Sequence, residues 1–158
     1  MRGAGAGDQE GAIEVILAAL GTYGKWSRGW TPPKDAKERE ERRWRLQESK
    51  GGWLMACEGE RIVGVSCWRG GDEATLALLM VDPEHWGEGV GRILHEASMH
   101  KMAETGAKTA RLSVATDNER AKAFYARRGW LRTDAAPWRH AWLGLRMEEY
   151  ARPVEREP

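Results

Sequence analysis

The stretch of this chain best suited to chemistry is Val81-Asp82-Pro83-Glu84-His85-Trp86-Gly87-Glu88-Gly89-Val90-Gly91-Arg92. An apolar run from Ala74 to Val81 leads into it, Pro83 stops that run, and a helical pattern starts near Gly89. Glycines let a backbone adopt positive φ and approach a ligand closely. The first N–H groups of a helix lack partners within it and sit at the positive end of its dipole. Consecutive free amides at such a turn bind phosphate or pyrophosphate. The run is not a Walker loop, because no Gly-Lys-Ser/Thr follows. Nor is it the dinucleotide fingerprint, since Gly91 comes one residue too early for the third glycine. A tight strand-to-helix turn with no ligand would have the same composition.

A second segment narrows the choice. It reads Leu112-Ser113-Val114-Ala115-Thr116-Asp117-Asn118-Glu119-Arg120-Ala121-Lys122-Ala123-Phe124-Tyr125-Ala126-Arg127-Arg128-Gly129-Trp130. Together the two segments resemble the GNAT superfamily of N-acetyltransferases. That family's cofactor loop, Gln/Arg-x-x-Gly-x-Gly/Ala, is matched over Trp86 to Gly91. Its second signature is a strand, then Asn, Ala, Phe-Tyr, and Gly before an aromatic residue. Asn118, Ala121, Phe124, Tyr125, Gly129 and Trp130 fit it position by position. The resemblance covers roughly residues 50–150, and the first 50 residues are only loosely family-like.

The resemblance implies a mixed α/β sheet of about six to seven strands, splayed between two central parallel strands and flanked by four helices. Acetyl-CoA, as co-substrate, would lie in the split with its pantetheine arm against Met80 and Val81. Its pyrophosphate would rest on the loop from Trp86 through Gly87, Glu88, Gly89, Val90 and Gly91 to Arg92. Asn118 would contact the pantetheine, and Tyr125 would protonate the departing thiolate as general acid. A strand amide near Met80 or Val81 would steady the carbonyl oxygen as charge develops. A neutral primary amine attacks directly, because an ammonium has no lone pair. Two residues depart from the family pattern: Trp86 stands where the loop usually begins with Arg or Gln, and Thr75 stands where many members carry a basic Glu. Glu73, His85, His140 or a chain of waters could take over as base.

The resemblance also implies an acceptor gripped between the first two helices and by the last two strands, regions that hold Tyr23, Trp26, Trp30, Trp138, His140 and Trp142, with Trp68 at the hairpin end. Trp26, Trp30 and His140 are the chosen acceptor contacts, and an amine with an apolar or aromatic body is the expected substrate. Core packing of some of these rings is the competing account, as it is for Tyr125; helix capping is the competing account for Asn118. Acetylation of a protein N-terminus or lysine, and acetyl-CoA binding without catalysis, are the rival functions. No metal site is assigned.

These residues need elements to hold them. Ile13, Ile16, Leu17 and Leu20 recur at helical spacing from Gly11, and Gly21 and Gly24 end that helix. Pro32-Pro33 interrupts, and a second helix runs from Asp35, as N-cap, to Gln47. Its Glu38–Arg42 and Glu41–Arg45 pairs describe a solvated face, with Trp44 as the apolar contact. Trp53–Cys57 and Arg61–Trp68 form a hairpin about Gly59-Glu60, placing Cys57 opposite Ile62 and Cys67 opposite Gly52. Both cysteines are then reduced packing residues. Ala74–Val81 is a strand covered on both faces, followed by a helix over Gly89–Thr105 and a strand over Arg111–Ala115. A short helix runs from Asp117 or Asn118 to Gly129, and the last strands are Trp130-Leu131 and His140–Met147. Residues 1–10 hold at most a very short strand.

One domain of 158 residues accounts for all of this, and it is large enough to bury a core without metal or disulfides. Lys and Arg (25) nearly cancel Asp and Glu (24), which disfavours a nucleic-acid partner. No apolar run approaches the roughly 18 residues of a membrane span, so a cytoplasmic location without membrane contact is expected. A homodimer is compatible with the sequence. Trp occurs nine times against one Phe, more than a core alone calls for.

Overall fold

A computed structural model describes residues 1–5, 7–47 and 51–155. The strands are β1 Arg2–Gly3, β2 Gly51–Glu58, β3 Arg61–Arg69, β4 Glu73–Val81, β5 Thr109–Ala115, β6 Leu131–Arg132, β7 Trp138–Arg139 and β8 Arg146–Pro153. The α-helices are α1 Gln9–Leu20, α2 Ala36–Gln47, α3 Val90–Glu104 and α4 Glu119–Ala126. One mixed sheet runs β1-β2-β3-β4-β5-β8-β6, with β7 also on β8. Its eight strands exceed the expected six to seven because β1, β6 and β7 are two-residue pieces. The expected mixed α/β sheet and its flanking helices are borne out. No described helix is long and apolar enough to cross a membrane.

The sheet is antiparallel except at its centre, where β4 and β5 run parallel across the α3 crossover. That parallel pairing is short. Glu73, Ala74 and Thr75 meet Thr109, Ala110 and Arg111, and beyond Thr75 the strands part. A bulge leaves Ala77 without a partner on β3, since Cys67 pairs with Leu78 and Trp68 with Leu76. Bulges bend a strand and strengthen its twist, which carries β4 away from β5.

The two faces of the sheet are covered by different helices. Ile16 of α1 and Trp44 of α2 pack with Trp53, Met55, Val65 and Leu78 on one face. Leu94 of α3 packs with Leu54 and Val63 on the other, where Met102 and Tyr125 meet Leu76 and Leu112. β4 therefore reads as a nearly continuous apolar run because it is sandwiched from both sides.

Two expectations about elements need correction. Cys67 pairs with Trp53, not Gly52, because a register shift between Ala56 and Cys57 moves the hairpin by one residue after the correct Cys57–Ile62 pair. The last strand is not residues 140–147. Gly144 turns the chain at φ 69°, and the strand is Arg146–Pro153. Its polar face hid it, since the Glu148 carboxylate is buried and paired with Lys122 (3.0 Å) and Arg132 (3.3 Å). Asp35 does stand at the N-cap of α2, its carbonyl accepting the Arg39 N–H at 3.0 Å, and its carboxylate also accepts the Trp142 indole N–H at 2.8 Å.

Candidate active site

Where β4 and β5 part, a cavity of about 920 Å3 opens and reaches both faces of the sheet. Its lining includes Met80 and Val81, the loop residues Trp86, Gly87, Gly89, Val90, Gly91 and Arg92, and Asn118 and Tyr125. The two motifs, some 30 residues apart in sequence, thus share one wall. Glu88 is the loop residue outside the lining, and its carboxylate turns to His85 Nδ1 at 2.7 Å.

Gly87 (φ 84°) and Gly89 (φ 85°) both occupy the left-handed region, and Gly89 caps the N-terminus of α3. A Cβ at Gly87 would meet no atom within 4 Å, and one at Gly89 only an Arg92 guanidinium nitrogen at 3.9 Å. The glycines are required by backbone conformation, and the space over them is open to a ligand. Gly91 serves packing instead, since a Cβ there would press on the Phe124 ring at 3.3 Å. Such a turn at a helix N-terminus fits a pyrophosphate.

Trp86, the atypical head of the loop, donates its indole N–H to the Val81 carbonyl at 3.1 Å. Its ring lies under the Arg120 guanidinium, 3.7 Å from the ring centroid. The cation missing from the loop is therefore supplied by α4. Arg127 and Arg128 line the same end of the cavity, with Arg128 over Phe124 at 3.7 Å. These arginines were visible in the second segment but carry no motif of their own.

The strand amides separate by alternation. The Asp82 N–H donates to the Val63 carbonyl at 2.8 Å, so the backbone of Met80, two residues back, also faces β3. The backbone of Val81 faces the split. Of the two strand positions, Val81 offers its amide to the cavity and Met80 contributes a side chain.

Asn118 is a helix cap, accepting the Ala121 N–H at 3.2 Å, and it also borders the cavity. Tyr125 is buried against Phe124 (5.2 Å) and Trp130 (6.0 Å), and its hydroxyl has no hydrogen-bond partner among the described residues. Burial pushes the phenol well above its ordinary pKa, with the Tyr23 phenol adding to the rise. It stays protonated at neutral pH. Behind it, Trp130 donates its indole N–H to His95 Nε2 at 2.9 Å. Burial lowers the His95 pKa to about 4, with Arg152 and Arg128 contributing.

On the α1–α2 side the lining includes Tyr23, Trp26, Glu40, Arg43, Trp138, His140 and Trp142. Tyr23 reaches β4, its hydroxyl donating to Met80 Sδ at 3.9 Å. Trp30, an expected acceptor contact, lies outside the lining: it packs behind Tyr23 (5.5 Å) and ties its indole N–H to the Leu143 carbonyl at 2.8 Å. Trp68 also packs in the core, beside Gly52 and α3. Of the nine tryptophans, Trp26, Trp86, Trp138 and Trp142 border the cavity.

The expected substitutes for a base fare unevenly. Glu73 lies at the paired end of β4, outside the cavity, in an ion pair with Arg111 at 3.2 Å. His85 is held by Glu88. His140 lines the cavity, but its Nδ1 accepts the Trp142 and Leu143 N–H groups (3.3 and 3.0 Å). Burial, then Arg39 and Arg43, lower its pKa. One carboxylate was missed. Glu40, on the helix read as a solvated charged face, is 3% exposed and borders the cavity. Its only signal in the sequence was position, one turn before the buried Trp44.

Residues 21–130 match the acetyltransferase (GNAT) family. The chain belongs to that family. This bears out the resemblance, and the family matched is one of acetyltransferases. The chain is 30% identical over 134 residues to a mycothiol acetyltransferase of Actinosynnema mirum, covering 81% of this chain but 42% of that protein. In fold it resembles the ribosomal-protein-S18-alanine N-acetyltransferase from Escherichia coli, with a TM-score of 0.75, 19% identity and coverage of 99% and 94% of the two chains. It likewise resembles the PaiA N-acetyltransferase of Thermoplasma acidophilum in complex with coenzyme A, with a TM-score of 0.69, 20% identity and coverage of 94% and 95%.

Proposed function

We propose that this GNAT chain, read as one domain, transfers the acetyl group of acetyl-CoA to the primary amine of a small molecule by direct attack. The observation that carries this is the Tyr125 hydroxyl, without a hydrogen-bond partner among the described residues, in the wall of the cavity that also holds the glycine turn and Val81. The amides from Gly87 to Arg92 bind the pyrophosphate, and Arg120, Arg127 and Arg128 add positive charge. The Val81 N–H steadies the carbonyl oxygen during attack. When the C–S bond breaks, the thiolate takes the Tyr125 proton, which the raised pKa keeps on the phenol until then.

A small acceptor is favoured over a protein because the α1–α2 segment and the 140–145 turn are tied across the cavity. Trp142 to Asp35 and Trp30 to the Leu143 carbonyl, both 2.8 Å, are those ties. A peptide acceptor needs a groove open at this point.

The test is to incubate the protein with acetyl-CoA and a panel of primary amines while following free thiol. Thiol release is expected with at least one amine. In Tyr125→Phe turnover should fall roughly a hundredfold while acetyl-CoA binding persists. Acetyl-CoA binding with no thiol release from any amine would instead make the chain a binding module.

A further inference from the structure

We propose that Glu40 is the acceptor base of this site: its carboxylate receives the ammonium of a cationic primary amine with an apolar body and removes its proton. The inference rests on the acetyl-transfer reading above. α2 places Glu40 on its inner side, one turn before Trp44, whose ring stacks on Trp53 at 4.8 Å in the core. The side chain is 3% exposed yet borders the cavity, and its Oε2 has no hydrogen-bond partner among the described residues. A buried carboxylate oxygen without a donor is costly in a folded protein, so it points to a ligand. A primary ammonium supplies both the positive charge and up to three N–H donors.

The surroundings leave Glu40 partly compensated. Arg43 Nε lies 3.4 Å from Oε2 in an ion pair that makes no hydrogen bond, and Arg39 adds a weaker field from the same helix. The Tyr23 phenol and the Cys67 thiol face it from outside α2, both neutral at ordinary pH, with burial raising each to about 12. Arg69 of β3 and His140 also border the cavity. Burial raises the carboxyl's own pKa, the two arginines opposing, which brings it toward the working range of a base.

Tyr23 neighbours both this carboxylate and β4: the Glu40 charge adds to the burial that raises its pKa, and its hydroxyl donates to Met80 Sδ at 3.9 Å. The step balances. Glu40 takes one proton from the ammonium, the nitrogen lone pair forms the bond to the thioester carbonyl carbon, and the C–S bond breaks. The thiolate takes the Tyr125 proton, the phenolate takes the surplus proton of the new amide nitrogen, and Glu40 returns its proton to water.

The test reads binding and needs no turnover. The coenzyme-A-loaded protein is titrated at pH 8 with 2-phenylethylamine and, separately, with the near-isosteric neutral 2-phenylethanol. The wild type should bind the amine at least tenfold more tightly than the alcohol, and Glu40→Gln should reduce that preference to within about twofold while coenzyme A affinity is unchanged. Glu40→Asp should keep part of the preference. Equal binding of amine and alcohol by the wild type, or an undiminished preference in Glu40→Gln, would overturn the proposal. A chain that shows the preference yet releases no thiol with acetyl-CoA would defeat the acetyl-transfer reading alone.

Discussion

The two ends of the cavity, proposed above for the cofactor and for the acceptor, are built by opposite means. The cofactor end is made of backbone: one unbroken turn, Trp86 to Arg92, whose glycines hold two positive φ angles and leave the amides bare. The acceptor end is made of side chains from three separated segments, Tyr23–Trp26, Asp35–Arg43 and Trp138–Leu143, held together by long-range contacts. A backbone site tolerates changes in its side chains and fails when a dihedral changes. A side-chain site tolerates backbone variation and fails when one ring is lost. One fold can thus keep its donor while changing its acceptor.

The largest expected effect tests the backbone half. Gly89→Val puts a β-branched residue at φ 85°, a conformation such residues avoid, and displaces the first amides of α3. Acetyl-CoA affinity should fall by ten- to a hundredfold, equivalent to about 1–3 kcal/mol of strain, measured by calorimetric titration. The Michaelis constant for the amine should change little. A loss of amine affinity as large as the loss of acetyl-CoA affinity would dissolve the contrast between the ends.

A smaller effect tests the side-chain half. Trp142→Ala removes the 2.8 Å bond to Asp35 and the platform beneath Arg39, whose guanidinium lies 4.4 Å from the ring centroid. The acceptor wall loosens while the glycine turn is untouched. Steady-state kinetics should show the amine Michaelis constant rising about tenfold, near 1.4 kcal/mol, with the acetyl-CoA constant constant within about twofold.

The same contrast explains what could be read in the sequence. The glycine loop, the Asn118 cap and Tyr125 are local patterns, and their placement in one wall followed from the βαβ crossover through α3. Trp86 departs from the family pattern in the sequence, and its partners, the Val81 carbonyl and the Arg120 guanidinium, come from outside the loop. Glu40 was invisible for a related reason. α2 carries so many charges that its i,i+4 pairs suggested a solvated face, and only packing of Trp44 on Trp53 shows which side turns inward. β8 was misplaced because Glu148 made a buried strand look polar, and the compensating Lys122 and Arg132 come from other elements.

Burial also moves two titratable groups on opposite faces of the sheet, His95 and Glu40, in opposite directions. His95, behind Tyr125 on the cofactor face, is lowered from 6.5 to about 4, so the folded state binds its proton more weakly than the unfolded chain. Its stabilising contribution is complete above about pH 6.5 and is lost as pH falls toward about 4. Glu40, on the acceptor face, is raised above 4.5, so the folded state holds its proton more tightly. Its contribution is complete below pH 4.5 and is lost as pH rises through the raised value. His95→Gln retains an acceptor for the Trp130 indole and should flatten the acid limb of a stability profile. Glu40→Gln should stabilise the protein at pH 8 by on the order of 1 kcal/mol, the usual gain when a strained functional group is removed. Thermal melts between pH 4 and 8 check both. If Glu40→Gln is instead less stable at pH 8, its ion pair with Arg43 outweighs the burial cost, and the acceptor face is held together by the group that was expected to strain it.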